Sequence, residues 1–173
     1  MVKLIGSLCI VFGCSMIGVI ANKRLRDHVS VLQNLIAIVQ TIESEISSQL
    51  SPIPAALQTA VNTIGNKNSA CVAFINQVLI GLEIKGPHVF PEIWRSSVAD
   101  TLEVLNEREK NLLNELADKL GRYGAEEQLS ALRTVRSGLS RFMQSAEEEK
   151  SRSGKVYMTL GTALGIALVI ILV

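Results

Sequence analysis

The C-terminal segment of the chain, VYMTLGTALGIALVIILV, constrains the fold more than any other stretch because it contains no charged side chain. A bilayer core is about 30 Å thick, and a helix needs roughly 20 apolar residues to span it, with about 17 as the lower limit. Residues 156–173 are therefore predicted to form a transmembrane helix. The alternative is a buried core helix, whose polar face would have to be built from Thr159 and Thr162.

A second apolar segment opens the chain, where Lys3 is followed by the run LIGSLCIVFGCSMIGVIA. Two interpretations fit this pattern. One is a cleaved signal peptide, since Val19 and Ala21 match a small-residue cleavage motif, and the other is an uncleaved membrane anchor over residues 1–21. Positive charge directly after the run favours the anchor, because basic residues hold the flanking chain on the cytoplasmic side. These basic residues are Lys23, Arg24 and Arg26.

Basic residues also precede the C-terminal segment, and they predict the same orientation for the middle of the chain. Residues 22–155 are therefore expected to form a cytoplasmic domain, held at the cell membrane by a transmembrane helix on each side. A secreted, signal-cleaved helical protein is a competing arrangement, and it would leave Cys71 accessible from outside the cell. The second basic cluster consists of Lys150, Arg152 and Lys155.

The middle of the chain lacks the charge and the motifs of several functional classes. Residues 22–155 contain all 16 acidic residues and all but one of the 17 basic residues, and a neutral domain is not an electrostatic binder of nucleic acid. The cysteines and histidines lack zinc-ligand spacing, and the sequence has no phosphate-binding loop, H-E-x-x-H or G-x-S-x-G motif. We therefore expect no enzymatic activity, cofactor, metal or small-molecule substrate.

Apolar periodicity predicts an all-α domain of six helices. Because the sequence has no proline after the start of the fourth helix, the sixth is expected to continue into the C-terminal segment, with Gly154 as its weak point. The predicted helices cover residues 24–50, 53–64, 70–82, a stretch that starts near residue 91, residues 107–120 and a stretch that starts at residue 125.

Cap residues mark the starts of three of these helices. Ser51 is interpreted as the N-cap of the second helix, and Asn68 or Ser69 as the N-cap of the third. Asn106 followed by Glu109 resembles a capping box at the start of the fifth helix.

Four glutamates are the candidate interaction residues. Glu43 falls on the apolar seam of the first helix, where a carboxylate is unfavourable unless it is paired or lies near the edge. It therefore either snorkels outward or pairs with an arginine of the bundle, or else it faces a partner or fixes the register of the helix. Residues 92–127 are net acidic, and a contact surface for a partner is predicted around Glu107, Glu109 and Glu115.

The features of the chain also follow one another in a specific order. After the N-terminal anchor, a long helix ends in E-x-E-I-x4-S/T-P-hydrophobic, and an isolated tryptophan follows. Next come a leucine-rich helix ending in Leu-Gly, a helix with an early glutamine, and the terminal membrane segment. The residues concerned are Glu43, Glu45, Ile46, Ser51, Pro52, Ile53, Trp94, Leu120, Gly121 and Gln128. This order, which covers the whole chain, resembles the stage III sporulation protein AB family of endospore-forming bacteria.

The resemblance implies a cytoplasmic six-helix domain similar to the F-type platform proteins of type II secretion and type IV pilus machines. It also implies a place in the channel that joins mother cell and forespore during engulfment. There the protein would lie in the mother-cell membrane, beside other channel membrane proteins and a secretion-type ATPase of the same operon. Secretion platforms usually carry two such helical domains, whereas this chain has one.

The sequence thus predicts a non-enzymatic membrane platform that is anchored in the lipid bilayer and offers a cytoplasmic helical surface to an ATPase. The alternative, from a different class, is a two-helix membrane signalling adaptor. That adaptor would dimerise through a parallel coiled coil over residues 25–50.

Overall fold

A computed structural model describes residues 2–49, 51–64, 69–121 and 123–172, with side chains described over residues 23–152 except 49, 50, 65–68 and 122. All regular structure in these residues is helical, which confirms the all-α prediction. A 3-10 turn at Pro87–Val89 precedes the fourth helix. The six helices are α1 (Val2–Gln49), α2 (Ile53–Thr63), α3 (Ala70–Lys85), α4 (Phe90–Thr101), α5 (Glu107–Lys119) and α6 (Ala125–Leu172).

The chain divides into two compact units. One combines Met1–Val29 with Gln144–Val173, and the other is Ser30–Met143, which contains α2 to α5 and the adjoining parts of α1 and α6. As predicted, α6 continues as a helix through Gly154.

The predicted transmembrane segments, residues 1–21 and 156–173, lie outside the residues whose side chains are described. Within the described part of the chain, no helix combines the length and the apolar character needed to cross a membrane.

The apolar stripe of α1 is buried, as the spacing predicts. A stripe this broad is typical of a helix packed in a bundle, whereas a two-stranded coiled coil uses a narrower seam. This face is covered by other helices of the same chain. In the coiled-coil alternative it would instead have to pack against a second chain. The buried residues are Val29, Val31, Leu32, Leu35, Ile38, Val39, Ile42 and Ile46.

The caps agree with the sequence at two helices and differ at one. Ser69 caps α3 by accepting a hydrogen bond from the backbone N–H of Val72 at 3.3 Å, which decides between the two predicted candidates. The prediction for α2 is wrong, because the N-cap is Pro52, and Ser51 Oγ instead donates to Glu45 Oε2 at 2.9 Å. Prolines in the first turn have no N–H group to satisfy, so α2 needs no side-chain cap there.

The core of the Ser30–Met143 unit is organised around Trp94 on α4. Helix α4 contacts both α3 and α5, and α3 also contacts α2. The Trp94 ring packs edge-on against Phe74 with 4.8 Å between ring centroids, and it lies 5.5 Å from Phe90. Its indole N–H donates to the carbonyl oxygen of Leu113 at 3.0 Å, so the one polar group of the ring is satisfied inside the core.

Candidate interaction surface

The acidic stretch 92–127 contains carboxylates that the fold itself engages. Asp118 on α5 accepts two hydrogen bonds from Arg95 Nη2 on α4, at 2.6 and 2.7 Å. Asp100 on α4 accepts one from Gln77 on α3 at 2.9 Å. These contacts fasten neighbouring helices together and leave less unbalanced charge on this side of the unit than the sequence suggests.

Two of the glutamates predicted for the contact surface, Glu107 and Glu109, lie in different surroundings. Glu107 is exposed and lies 3.4 Å from Lys110 one turn along α5. Glu109 is buried, with 1% of its surface exposed, and it completes the predicted capping box with Asn106. In that box Glu109 Oε2 accepts from the Asn106 N–H at 2.9 Å, and Asn106 Oδ1 accepts from the Glu109 N–H at 3.0 Å.

The capping box confirms one prediction for Glu109 and overturns another. A carboxylate used to satisfy the orphan N–H groups of a helix start turns inward along the first turn. Glu109 is therefore not available to a partner, and its assignment to the contact surface is wrong.

Glu43 is paired inside the bundle. Its carboxylate lies 3.0 Å from Arg133 Nε and 3.5 Å from Arg136 Nε, both on α6, and its side chain is 15% exposed. Among the predicted interpretations of Glu43, the structure supports the pairing with bundle arginines. This contact joins α1 to α6 and offsets the unfavourable burial of a carboxylate on an apolar seam.

Glu115, the remaining predicted residue, lines a groove between α5 and α6. The groove has a volume of about 330 Å³. Its lining combines apolar side chains, which we call the floor, with polar and charged side chains, which we call the rim. The lining residues are Leu112, Glu115, Leu116, Lys119, Glu127, Ser130, Ala131, Thr134 and Val135.

Close packing at Gly138 brings α5 and α6 together beside this groove. A Cβ atom at Gly138 would lie 2.5 Å from Leu112 Cδ2, so the absence of a side chain on α6 lets α5 approach. Leu112 is also one of the groove's lining residues, and it is half-buried. Leu112 therefore belongs both to the close contact at Gly138 and to the groove lining.

The charges on the rim are only partly balanced. Glu115 on α5 and Glu127 on α6 are both exposed, and neither has a hydrogen-bond or ion-pair partner among the residues that the structure describes. Among the described lining residues the one cation is Lys119, whose Nζ atom lies 4.6 Å from the centre of the Tyr123 ring. Two carboxylates against one lysine leave the described lining net negative.

Sequence reasoning identified Glu115 but missed Glu127 and the groove itself. Glu127 stands in the first turn of α6, where acidic residues are common because they suit the positive end of a helix. The i, i+4, i+7 spacing of one helix face connects Glu127, Ala131 and Thr134. This spacing indicates that the three side chains lie on the same surface of α6. The separation of α5 from α6 has no sequence signal.

Comparison with known proteins gives the family of this chain. Residues 3–173 match the sequence profile of the family described as Stage III sporulation protein AB (spore_III_AB). The chain belongs to this family. The resemblance inferred from the order of sequence features is thereby confirmed.

The fold of this family member is similar to a solved structure named "Stage III sporulation protein AB (SpoIIIAB)". The two agree with a TM-score of 0.58 at 19% sequence identity, over 73% of this chain and 98% of the solved chain. At that identity the likeness shows a shared fold. A search of curated proteins gives no match.

In this member of the stage III sporulation protein AB family, several residues that carried the resemblance have structural roles. Glu43 holds two arginines of α6, and Glu45 accepts the hydrogen bond from Ser51 that leads into α2. Trp94 occupies the centre of the core, and Gly121 adopts a positive φ of 75° after α5. These residues maintain the fold, so they do not by themselves mark a site of action.

Proposed function

We propose that this chain is a non-enzymatic membrane scaffold of the channel between mother cell and forespore, and that it offers a helical surface to a secretion-type ATPase. The observation that supports the proposal most is the match to the stage III sporulation protein AB family, which covers residues 3–173. In this proposal residues 22–155 are cytoplasmic and similar to the F-domain of type II secretion platforms. Residues 1–21 and 156–173 cross the membrane.

The features of the Ser30–Met143 unit suit a scaffold. Its titratable groups are used to fasten helices together: Glu43 to two arginines of α6, and Asp118 to Arg95. The described residues contain no cluster of three or more His, Cys, Asp or Glu side chains arranged to hold a metal ion. The groups that remain available for contacts lie on the surface, and Glu107 and Glu115 belong to the same helix.

Binding of the ATPase to the intact protein tests the proposal. The full-length chain is reconstituted in nanodiscs, and the ATPase of the same operon is titrated onto it with biolayer interferometry. We expect saturable binding that weakens on the charge reversals Glu107→Lys and Glu115→Lys. Glu83→Lys, at an exposed position on α3, is the matched control and should leave the affinity unchanged.

Two results would contradict the proposal. The first is an ATPase that fails to bind the full-length chain in the nanodisc. The second is a stable dimer of the full-length chain in sedimentation velocity that Leu32→Asp dissociates without unfolding it, because this result supports the coiled-coil adaptor instead.

A further inference from the structure

The groove between α5 and α6 joins an apolar floor to carboxylates that have no partner among the described residues. Its floor is formed by Leu112 and Leu116 on one helix and by Ala131 and Val135 on the other. Its volume of about 330 Å³ lies at the lower end of the range of about 300–1,000 Å³ for ligand pockets. Space of this size suits a single long side chain better than a whole cofactor.

The carboxylates stand on opposite walls of this space. Glu115 belongs to the α5 wall and Glu127 to the α6 wall, and both are solvent-exposed. Thr134 on the rim donates its hydroxyl to the carbonyl oxygen of Ser130 at 3.0 Å, so this group is already satisfied. The two carboxylates are therefore the strongest hydrogen-bond acceptors that the rim presents to solvent.

The nearby basic residues named here do not form ion pairs with Glu115 or Glu127. Arg133 and Arg136 are held by Glu43, and Arg95 by Asp118. Lys119 lies over the Tyr123 ring. Among the residues that the structure describes, none is ion-paired with Glu115 or Glu127, so a cation from another molecule can balance them.

We propose that this groove binds one lysine or arginine side chain presented by the chain's protein partner. The aliphatic stem lies on the floor made by Leu112 and Ala131, and the cationic head lies between Glu115 and Glu127. Long basic side chains combine these two properties, since they bury their methylene stems and keep the charge at a polar edge. This proposal rests on the proposed function, because that function provides the protein partner. The chemistry of the groove is the same whichever protein that partner is.

Other occupants fit this groove less well. An acidic side chain would bring a third carboxylate against a net negative rim, and like charges at an interface are strongly unfavourable. A purely apolar side chain would cover the floor but would remove water from two carboxylates without replacing their hydrogen bonds. A basic side chain satisfies floor and rim together.

A small probe tests the chemistry without the partner. n-Butylguanidinium, which copies the end of an arginine side chain, is titrated into the full-length chain in nanodiscs. Methyl NMR follows Leu112 and Ala131. The neutral n-butylurea, of the same shape, is the matched ligand. We expect saturable shifts with n-butylguanidinium and binding at least tenfold weaker with n-butylurea, because charge-assisted hydrogen bonds are about twice as strong as neutral ones.

Paired variants identify the groups responsible. Glu115→Gln/Glu127→Gln should weaken n-butylguanidinium binding about tenfold, as expected for losing two ion pairs of up to about 1 kcal/mol each. The control Glu83→Gln/Glu103→Gln removes two exposed carboxylates away from the groove and should leave the binding unchanged. Equal binding of both ligands, unchanged binding in the groove variant, or no methyl shift at all would overturn the inference.

The partner measurement separates this inference from the proposed function. If the ATPase binds the full-length chain, Glu115→Gln/Glu127→Gln should weaken its affinity about tenfold relative to the control pair. An ATPase that binds both variants equally overturns the groove as its contact and leaves the scaffold proposal intact. An ATPase that binds neither variant nor the unsubstituted chain overturns the scaffold proposal, whereas the n-butylguanidinium result still decides the chemistry of the groove.

Discussion

The side of α5 that faces α4 and the side that faces α6 differ in how their polar groups are paired. Toward α4, the carbonyl oxygen of Leu113 accepts the indole hydrogen bond of Trp94, and Asp118 accepts from Arg95. Toward α6, Leu112 and Glu115 border a groove in which the floor is open and the carboxylate is unpaired within the described part of the chain. The polar groups named on the Trp94 side are paired within one chain, whereas Glu115 on the groove side has no partner among the described residues. This contrast separates the part of the surface that maintains the fold from the part available for binding.

Thiol reactivity gives the largest expected contrast, which is between the buried core at Cys71 on α3 and the rim of the groove. Burial raises the pKa of Cys71 to about 12, and its Sγ donates to the carbonyl oxygen of Val31 at 3.5 Å. A cysteine at Ser130, on the exposed groove rim, has an ordinary thiol pKa of about 8.5. At pH 8 we expect Ser130→Cys to react with Ellman's reagent more than about a thousandfold faster than Cys71, because the thiolate is the reactive form.

This measurement uses the full-length chain with Cys9 and Cys14 replaced by alanine. The control is the same protein with Cys71 also replaced and Ser130 retained, which should show no labelling. Comparable rates at Cys71 and at Ser130→Cys would show that the core around Cys71 is as open to solvent as the groove rim.

Loss of the central tryptophan is the second largest effect. Trp94→Ala should lower the free energy of unfolding by about 4 kcal/mol, since it removes a buried aromatic side chain and its hydrogen bond to the Leu113 carbonyl. Trp94 is the single tryptophan of the chain, so unfolding is followed by far-UV circular dichroism. Leu112→Ala, on the groove wall, is the matched truncation. It should lower the free energy of unfolding by less than half as much as Trp94→Ala. Equal losses would remove the distinction between core and groove.

Two glycines with the same close approach provide a sharper comparison. A Cβ atom at Gly81 would lie 2.5 Å from Ile93 Cγ2, and one at Gly138 the same distance from Leu112 Cδ2. Ile93 is buried and branched at its β carbon, so Gly81→Ala should cost about 1–2 kcal/mol of stability. Leu112 is half-buried beside open space and can rotate, so Gly138→Ala should stay within about 0.5 kcal/mol of the unsubstituted protein after the helix-propensity gain.

The Gly138 variant also connects the stability measurement to the groove. If Leu112 rotates into the groove, Gly138→Ala should weaken n-butylguanidinium binding while the stability stays nearly constant. A loss of stability equal to that of Gly81→Ala would mean that Leu112 is as confined as Ile93.

The smallest effect compares two glutamates of α5. Glu109→Ala should lower the free energy of unfolding by about 1 kcal/mol, because it removes the side chain that accepts from the Asn106 N–H in the capping box. Glu115→Ala should change it by no more than about 0.5 kcal/mol, as for surface substitutions without a structural contact. Thermal denaturation of the full-length chain measures both. A larger loss for Glu115→Ala than for Glu109→Ala would reverse the assignment of these roles.

Local sequence rules account well for single helices. The burial of Leu32, Leu35 and Ile42 follows from apolar spacing alone, and the capping box of Asn106 with Glu109 follows from residues three apart. The same rules failed at Ser51, where the choice of N-cap depends on the backbone angles of the prolines that follow.

For contacts between residues far apart in the sequence, the sequence predicted that a contact is needed but did not identify the residues that make it. The seam position of Glu43 indicated that it needs a partner, but Arg133 and Arg136 lie about 90 residues further along the chain. The acidic composition of residues 92–127 indicated a charged surface, yet it could not separate Glu109, used inside the fold, from Glu115, left on the groove.

By itself the sequence determined the helical class, the membership of the stage III sporulation protein AB family, the apolar ends of the chain and the approximate start of every helix except α1, which begins at Val2 rather than near residue 24. Spacing, caps and residue order depend on neighbours along the chain, which is why they could be read directly. Only the tertiary structure decided which charges are neutralised and where α5 and α6 separate. Both depend on side chains that are far apart in sequence and meet only after packing, so the groove with Glu115 and Glu127 belongs to the fold rather than to any single helix.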